Sequence, residues 1–365
     1  MERILVTYQV TCPETAITAR AASIAVEQSI EMPLSAVREQ RILDDYTGRV
    51  ESITPLAPGL HRVVIALSAG TLDEDPGQLM NMLFGNTSLQ PDVELVDIDL
   101  GASVAANFPG PRFGIEGLRR LTGASARALT CSALKPQGSS PAQLAAIART
   151  FALAGIDIIK DDHGIADQAY APFAARVKAV QAAVTAANRE TGGRTLYAPS
   201  LSGGPSRLAA QAAVLRDEGA GMALVAPMLI GLPAFSELVA TLGVPVLAHP
   251  ALGGATRIAP ALLIGKLFRL FGADALIYPH HGGRFSYTPQ ACLDIAGSAR
   301  GAWMHIRPAL PVPAGGMTVE RAPEMLDFYG NDTMLLIGGG LLAAGDALLE
   351  RTREFVNTVT MAHRI

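Results

Sequence analysis

At 365 residues the chain exceeds what one hydrophobic core ordinarily holds, so a small domain plus a barrel-sized one is the starting expectation. A net charge of −4 without any Lys/Arg block removes the electrostatic footprint of a nucleic-acid or anionic-membrane binder and leaves a small-molecule partner. Hydrophobic residues make up 49% of the chain, yet no apolar run approaches the roughly 20 residues of a membrane span. Cys12, Cys131 and Cys292 are too few and too far apart for a disulfide framework or a structural zinc site.

The opening MERILVTYQVTCPET holds an acidic group at once and no basic segment ahead of an apolar core, so it does not read as a secretion signal and a cytoplasmic protein is expected. Residues 1–120 mix strand-like RILVTYQV, an Ala-rich helical stretch from Pro13 to Ser29, strand-like RVESITPL and HRVVIALS, and a helical LMNMLFGN. The mixture predicts a small α+β domain.

From Leu129 onward one pattern repeats: a short β-rich apolar run, a Gly, Pro or polar turn, then a longer segment of helical spacing. Eight such runs occur, ALTCSALK (128–135), GIDIIKDD (155–162), TLYAPSL (195–201), MALVAPM (222–228), VPVLAHP (244–250), ALIYPHH (275–281), PALPVPAGG (308–316) and MLLIGGG (334–340). They predict an α/β fold in which residues 121–365 close into a (β/α)8 TIM barrel. Helical SPAQLAAIARTFALAG (140–155) separates the first two, with Ser140 as N-cap and Gly155 past its end. Two more helices are expected at 205–221 and 288–302.

A barrel places its active site where strands end. The second run ends in Lys160-Asp161-Asp162-His163, which either holds a divalent cation at that rim or is a wet charged loop. Lys135-Pro136 closes the first run and His249-Pro250 the fifth. The seventh ends in Ala314-Gly315-Gly316 and the eighth in Gly338-Gly339-Gly340. Glycine loops after the last two strands expose backbone N–H groups to phosphate, which points to a phosphorylated substrate.

The order ALKPQG, GIDIIKDDH, AHP, LPVPAGGM and IGGGLL resembles the RuBisCO large-subunit superfamily, as do AVEQS around Glu27, DDYTGRV, LFGN ending at Asn86, and FPGPRFGI. The resemblance spans nearly the whole chain. It implies a ferredoxin-like domain ahead of the barrel, and one Mg2+ per site held by Lys160, carbamylated by CO2, with Asp162 and His163. His163 stands where the family has glutamate, which puts a nitrogen donor among oxygens and implies weaker magnesium binding or preference for a softer ion; otherwise it faces outward and Asp161 or water substitutes. Lys135 matches a lysine suited to proton transfer or enolate stabilisation, and His249 is a further catalytic candidate. Gly315, Gly316, Gly338 and Gly339 match phosphate-seating glycines. Glu27 and Asn86 match residues that, in relatives, reach a neighbouring subunit's barrel, which implies a homodimer with composite sites.

Several departures argue against carboxylation. The family's second lysine of KPK is Gln137, the arginine of its HR pair is Pro250, a phosphate-side serine is Ala314, and a Thr-Trp phosphate grip is replaced by Met32-Pro33. The loop after the sixth strand, YPHHGGRFSYTP, lacks the closing lysine and offers Arg284 for a phosphate or carboxylate. His280 and His281 in it either serve acid–base roles or stay solvated. The resemblance therefore implies a non-carboxylating RuBisCO-like enzyme that forms an enolate. The preferred substrate is a phosphorylated 3-oxo sugar acid of the 3-oxo-isoapionate 4-phosphate kind, decarboxylated or cleaved by transcarboxylation and hydrolysis. The alternatives are an isomerase or enolase of methylthio-sugar phosphates in sulfur salvage, and a non-catalytic metabolite-binding protein.

Overall fold

The computed structural model describes residues 2–362, and these fall into two compact units. Unit 1 runs to Pro109 and adds Gly253–Leu263 and Trp303–Ile306; unit 2 takes Gly110–Leu252, Ile264–Ala302 and the described residues from Arg307 onward. The boundary expected after residue 120 therefore moves forward. The cause is the helix Gly114–Thr122, whose Leu118 joins the barrel core. Its entry is fixed by Asp274, whose Oδ1 accepts the N–H groups of Phe113 and Gly114 at 2.7 and 2.8 Å.

Unit 1 contains strands β1 (Arg3–Thr11), β2 (Arg49–Ala57), β3 (Leu60–Ser68) and β4 (Val93–Asp99), with helices Ile17–Glu27 and Pro76–Phe84 between them. The sheet order β2-β3-β1-β4, antiparallel throughout, is the ferredoxin-like arrangement. Strict alternation in β1 buries Ile4, Val6, Tyr8 and Val10 completely, and β3 sets Leu67, Ile65 and Val63 opposite the first three. Each such aliphatic side chain contributes about 1.5–3 kcal/mol by leaving water. The Tyr8 hydroxyl donates to the Leu83 carbonyl at 2.6 Å, which satisfies its one polar atom in the core. The later segment near Ile258 pairs along β4: Leu95 N–H donates to Arg257 O at 3.0 Å, and Ala259 N–H to Leu95 O at 2.9 Å.

Unit 2 is the barrel. Its strands are β5 (Leu129–Leu134), β6 (Ile158–Asp161), β7 (Leu196–Ala198) with its continuation β8 (Ser200–Leu201), β9 (Ala223–Val225), β10 (Val246–Ala248), β11 (Ala275–Pro279), β12 (Leu310–Ala314) and β13 (Met334–Leu336). All eight apolar runs thus contain strand. The ladders form two parallel arcs, β13-β5-β6-β7 and β8-β9-β10-β11-β12. Both interruptions have a cause in proline, which has no N–H to give a ladder. Pro199 separates β7 from β8. In β12, Leu310 and Val312 alternate with Pro311 and Pro313, and Leu310 donates to Asp274 O on the β11 side. The prolines therefore face β13, and the seam is bridged by the Thr333 hydroxyl donating to Pro311 O at 3.1 Å.

Alternate residues of every strand fill the interior, among them Leu129, Cys131, Ile158, Leu224, Leu247, Ile277, Val312 and Met334. At the base of β6, Asp157 takes both ends of the Arg127 fork at 2.7 Å plus the Thr130 N–H and hydroxyl at 2.8 and 2.9 Å. The helix Pro141–Leu153 opens at Ser140, the N-cap its sequence predicts, in a capping box with Gln143. Cys12, Cys131 and Cys292 are free thiols. Among the described residues no helix is long and apolar enough to cross a membrane.

Candidate functional site

Strand β6 carries the charged cluster, and its alternation gives adjacent residues different tasks. Lys160 lies in register with Ala133 of β5 and Ala198 of β7, so two small neighbours leave room for a long side chain inside the barrel. Its ammonium donates to Asp161 O at 2.9 Å. Burial holds the Lys160 pKa below the usual lysine value, with Lys135 adding to the effect and Asp162 opposing it. A buried amine biased toward its neutral form has the lone pair that addition to CO2 requires.

Asp161 points the other way. Its carboxylate accepts from Arg176 Nε at 3.0 Å, the Tyr197 hydroxyl at 2.8 Å and the Ser200 N–H at 2.9 Å. Arg176 and Asp161 are both fully buried. These bonds tie β6 to the helix Phe173–Thr191 and to β8, and they leave Asp161 no part as a substitute metal ligand.

Asp162 turns back inward and meets Lys135, at the end of β5, in a direct ion pair. Burial pushes the Asp162 carboxyl up, but Lys135, the Gly164 N–H at 3.0 Å and the Lys160 charge outweigh it and bring the pKa to about 2. His163 Nδ1 lies 3.6 Å from Asp162 Oδ1. Its ring stacks on His249 with centroids 4.0 Å apart and planes 12° apart. His249 accepts the Ala251 N–H on Nδ1 at 3.1 Å. Burial, Lys160 and His163 hold its pKa down to about 2, so His249 offers a neutral Nε2–H donor and is a poor base near neutrality.

The remaining candidates fall into two groups. Gly338 borders the cluster, since a Cβ there would stand 3.7 Å from Lys135 Cε and from Ala133 Cβ. Gly315 and Gly316 adopt φ of 91° and 96°, a turn open to glycine but strained for other residues. Arg284 N–H donates to Gly315 O at 2.8 Å. Arg284 is also one of the cations that, after burial and together with Lys160 and Lys135, lower the His163 pKa against the pull of Asp162, which puts it within electrostatic reach of the cluster. Lys135, Lys160, Asp162, His163, His249, Arg284 and the glycine turns thus share the end of the barrel where strands terminate. Glu27 and Asn86 belong to unit 1, where Asn86 Nδ2 donates to Glu27 Oε1 at 2.9 Å and to Glu31 Oε1 at 2.7 Å.

Among the described residues no three His, Cys, Asp or Glu side chains gather as a metal site. Asp162 and His163, 3.6 Å apart, are two candidate ligand side chains, and a carboxylate added to Lys160 by CO2 would be a third. Such a set would offer carboxylate and carbamate oxygens suited to a hard divalent ion such as Mg2+, with one imidazole nitrogen that suits a softer ion.

His280 proves to be fully buried, and His281 packs on Phe328 with centroids 4.5 Å apart. Of the two readings left open for this pair, solvation does not hold for His280, because the short loop after β11 lies down on β12, where His280 N–H donates to Ala314 O. Arg321, which the sequence reading passed over, is the residue that meets this loop; nothing in its sequence surroundings marks it.

The profile described as "Ribulose bisphosphate carboxylase large chain, catalytic domain" matches residues 114–285. The 5-methylthioribulose-1-phosphate isomerase of Rhodospirillum rubrum is 53% identical over 363 residues, covering 99% of this chain and 97% of the relative. A more distant relative, the 2,3-diketo-5-methylthiopentyl-1-phosphate enolase of Geobacillus kaustophilus, is 31% identical over 97% of this chain and 91% of its own. The crystal structure of a Rubisco-like protein from Rhodopseudomonas palustris superimposes with a TM-score of 0.93 at 49% identity, covering 99% of this chain and 98% of that one.

Proposed function

The chain belongs to the RuBisCO large-chain family, in its RuBisCO-like branch, and from that premise we propose that it is an isomerase of a methylthio-pentulose phosphate, with 5-methylthioribulose 1-phosphate as substrate. Of the two enzyme readings the sequence left open, the relatives' names support the methylthio-sugar one. The phosphorylated 3-oxo sugar acid gains no such support. The carrying observation is that the charged cluster of Lys135, Lys160 and Asp162 stands intact in a chain so similar to that isomerase.

In this reading the reaction removes a proton from a carbon beside the ketone and returns one to the neighbouring carbon, with no change in atoms overall. Lys160, carbamylated, with Asp162 and His163 would hold Mg2+. When bound, the ion supplies stabilisation for negative charge on the enediolate oxygens. Lys135 Nζ, paired to Asp162, moves the proton. The neutral His249 donates a hydrogen bond through Nε2. The Gly315–Gly316 and Gly338–Gly339 turns and Arg284 seat the phosphate. Pro250 and Gln137 leave fewer cations, and Ala314 one hydroxyl fewer, for a second anionic group, which suits an uncharged thioether end. The working form is a homodimer in which Glu27 and Asn86 contribute to composite sites.

The test is NMR of the purified protein in D2O with Mg2+, bicarbonate and 5-methylthioribulose 1-phosphate. A new phosphate ester carrying solvent deuterium at one carbon is expected. An unchanged spectrum overturns the reading, and release of CO2 from a phosphorylated 3-oxo sugar acid under the same conditions would restore the other.

A further inference from the structure

The loop after β11 carries Arg284, and the structure ties that loop down at several points. His280 N–H donates to Ala314 O at 2.9 Å and Arg284 N–H to Gly315 O at 2.8 Å. A Cβ on Gly283 would fall on the Gly315 carbonyl oxygen, and one on Gly316 would lie 3.1 Å from the Arg284 nitrogen. Loop and turn are therefore in backbone contact. On the outer side stands Arg321, immediately before the helix Ala322–Tyr329. Its Nη1 donates to His281 O at 3.4 Å and Gly282 O at 3.3 Å, and meets His280 Nδ1 at 3.5 Å. The far edge of the guanidinium is held by Glu324 at 2.8 and 3.0 Å.

A guanidinium only donates, so His280 Nδ1 is the acceptor and the ring proton sits on Nε2. Burial, followed by the Arg321 charge, keeps His280 below its usual pKa, in agreement with a neutral ring. Nη1 meets two carbonyls and an imidazole lone pair while Nη2 and Nε hold Glu324, a planar two-edged arrangement that lysine cannot reproduce.

We propose that Arg321 is a positioning residue: braced by Glu324, it clamps the loop after β11 onto the Gly315–Gly316 turn and so presents Arg284 as a fixed anion contact, not as part of a closing lid. The role of Arg284 toward a phosphate ester rests on the function proposed above; the clamp itself does not. Without the clamp the loop samples other conformations, and substrate affinity falls by the fraction of time the binding geometry is lost.

The test compares wild type with Arg321→Gln, Arg321→Lys and Glu324→Gln, by hydrogen–deuterium exchange and by kinetics with 5-methylthioribulose 1-phosphate. In Arg321→Gln the Arg284 amide should exchange about tenfold faster while the barrel strands keep wild-type protection. KM should rise about tenfold with kcat within about threefold. Arg321→Lys should restore less than half of the lost protection, and Glu324→Gln, which keeps the guanidinium but removes its brace, should give a smaller acceleration confined to the same loop. Wild-type exchange at Arg284 in both Arg321→Gln and Glu324→Gln would overturn the clamp, as would loss of protection spread through the whole barrel. If wild type shows no turnover, the proposed reaction fails while the exchange data still decide the clamp.

Discussion

Asp161 and Asp162 are neighbours in the chain with opposed environments, and substitution should separate them cleanly. Asp161 neutralises a fully buried Arg176, so Asp161→Asn strands a charge in the protein interior at a cost of about 3–5 kcal/mol. Thermal or urea unfolding should show that loss directly. Asp162→Asn removes a carboxylate whose principal partner, Lys135, is partly exposed and can turn to solvent. It should melt close to wild type while kcat/KM drops by about a hundredfold or more. The opposite pattern, a stable Asp161→Asn and an unfolded Asp162→Asn, would mean that the two residues have been assigned to the wrong faces of β6. Lys160→Met should be likewise folded and inactive, and unlike wild type its mass should be unaffected by incubation with bicarbonate and Mg2+ before trapping of any carbamate.

At the scale of elements, buried carboxylates act as anchors between strands and their connections. Asp274, just ahead of β11, accepts the N–H groups of Phe113 and Gly114 and, through Oδ2, that of Val246 at 2.9 Å. Asp274→Ala leaves three backbone donors unpaired, each costing about 1–3 kcal/mol, and Asp274→Asn, which keeps acceptor capacity on one atom, should be milder. Denaturant midpoints for the pair check the order. In unit 1, Arg20 on the helix Ile17–Glu27 grips Asp92, just before β4, at 2.7 and 2.9 Å. The Arg20 hydrogen bond, opposed by burial, holds the Asp92 carboxyl below its usual pKa. A carboxyl depressed on folding stabilises the protein above its unfolded value, and that stabilisation is lost as pH falls through the folded value. The thermal stability gap between wild type and Arg20→Gln should therefore be open at neutral pH and close well below the ordinary carboxylate value of about 3.9. Asp92 is partly exposed, so the gap should not exceed about 1 kcal/mol; a gap that widens in acid would contradict the assigned partner.

These elements also show what the chain discloses before folding. The eight barrel strands were readable because each is a short apolar run closed by a polar or glycine turn. Strand β4 was not singled out, because its pairing with β1 slips between Thr7 and Tyr8. There Leu95 and Asp97 face successive residues and Val96 is skipped, which breaks the alternation that marks a strand. At the site, Lys160, Asp162 and the glycine turns stood out by residue type at strand ends. The inward and outward sense of Asp161 and Asp162 depended on β6 register, and the meeting of Arg321 with His280 on a contact between residues 41 apart, neither of which has a local signature.

At the scale of the whole molecule, the chain of 38.1 kDa is expected to work as a pair. In unit 1, Glu27, Asn86 and Glu31 form a small polar group remote in sequence from the barrel cluster and with no chemistry of its own, so its part in catalysis has to be tested through assembly. Asn86→Ala and Lys160→Ala damage different parts of one proposed composite site. Each homodimer should be inactive, since both of its sites carry the same lesion. Co-refolded in equal amounts, the two chains should form half heterodimers, each with one doubly damaged and one intact site, and so recover about a quarter of wild-type activity. If each site were built from a single chain, every site in the mixture would keep one lesion and activity would stay absent. A quarter recovery, with sedimentation confirming a dimer, is thus reachable only when unit 1 of one copy serves the barrel of the other.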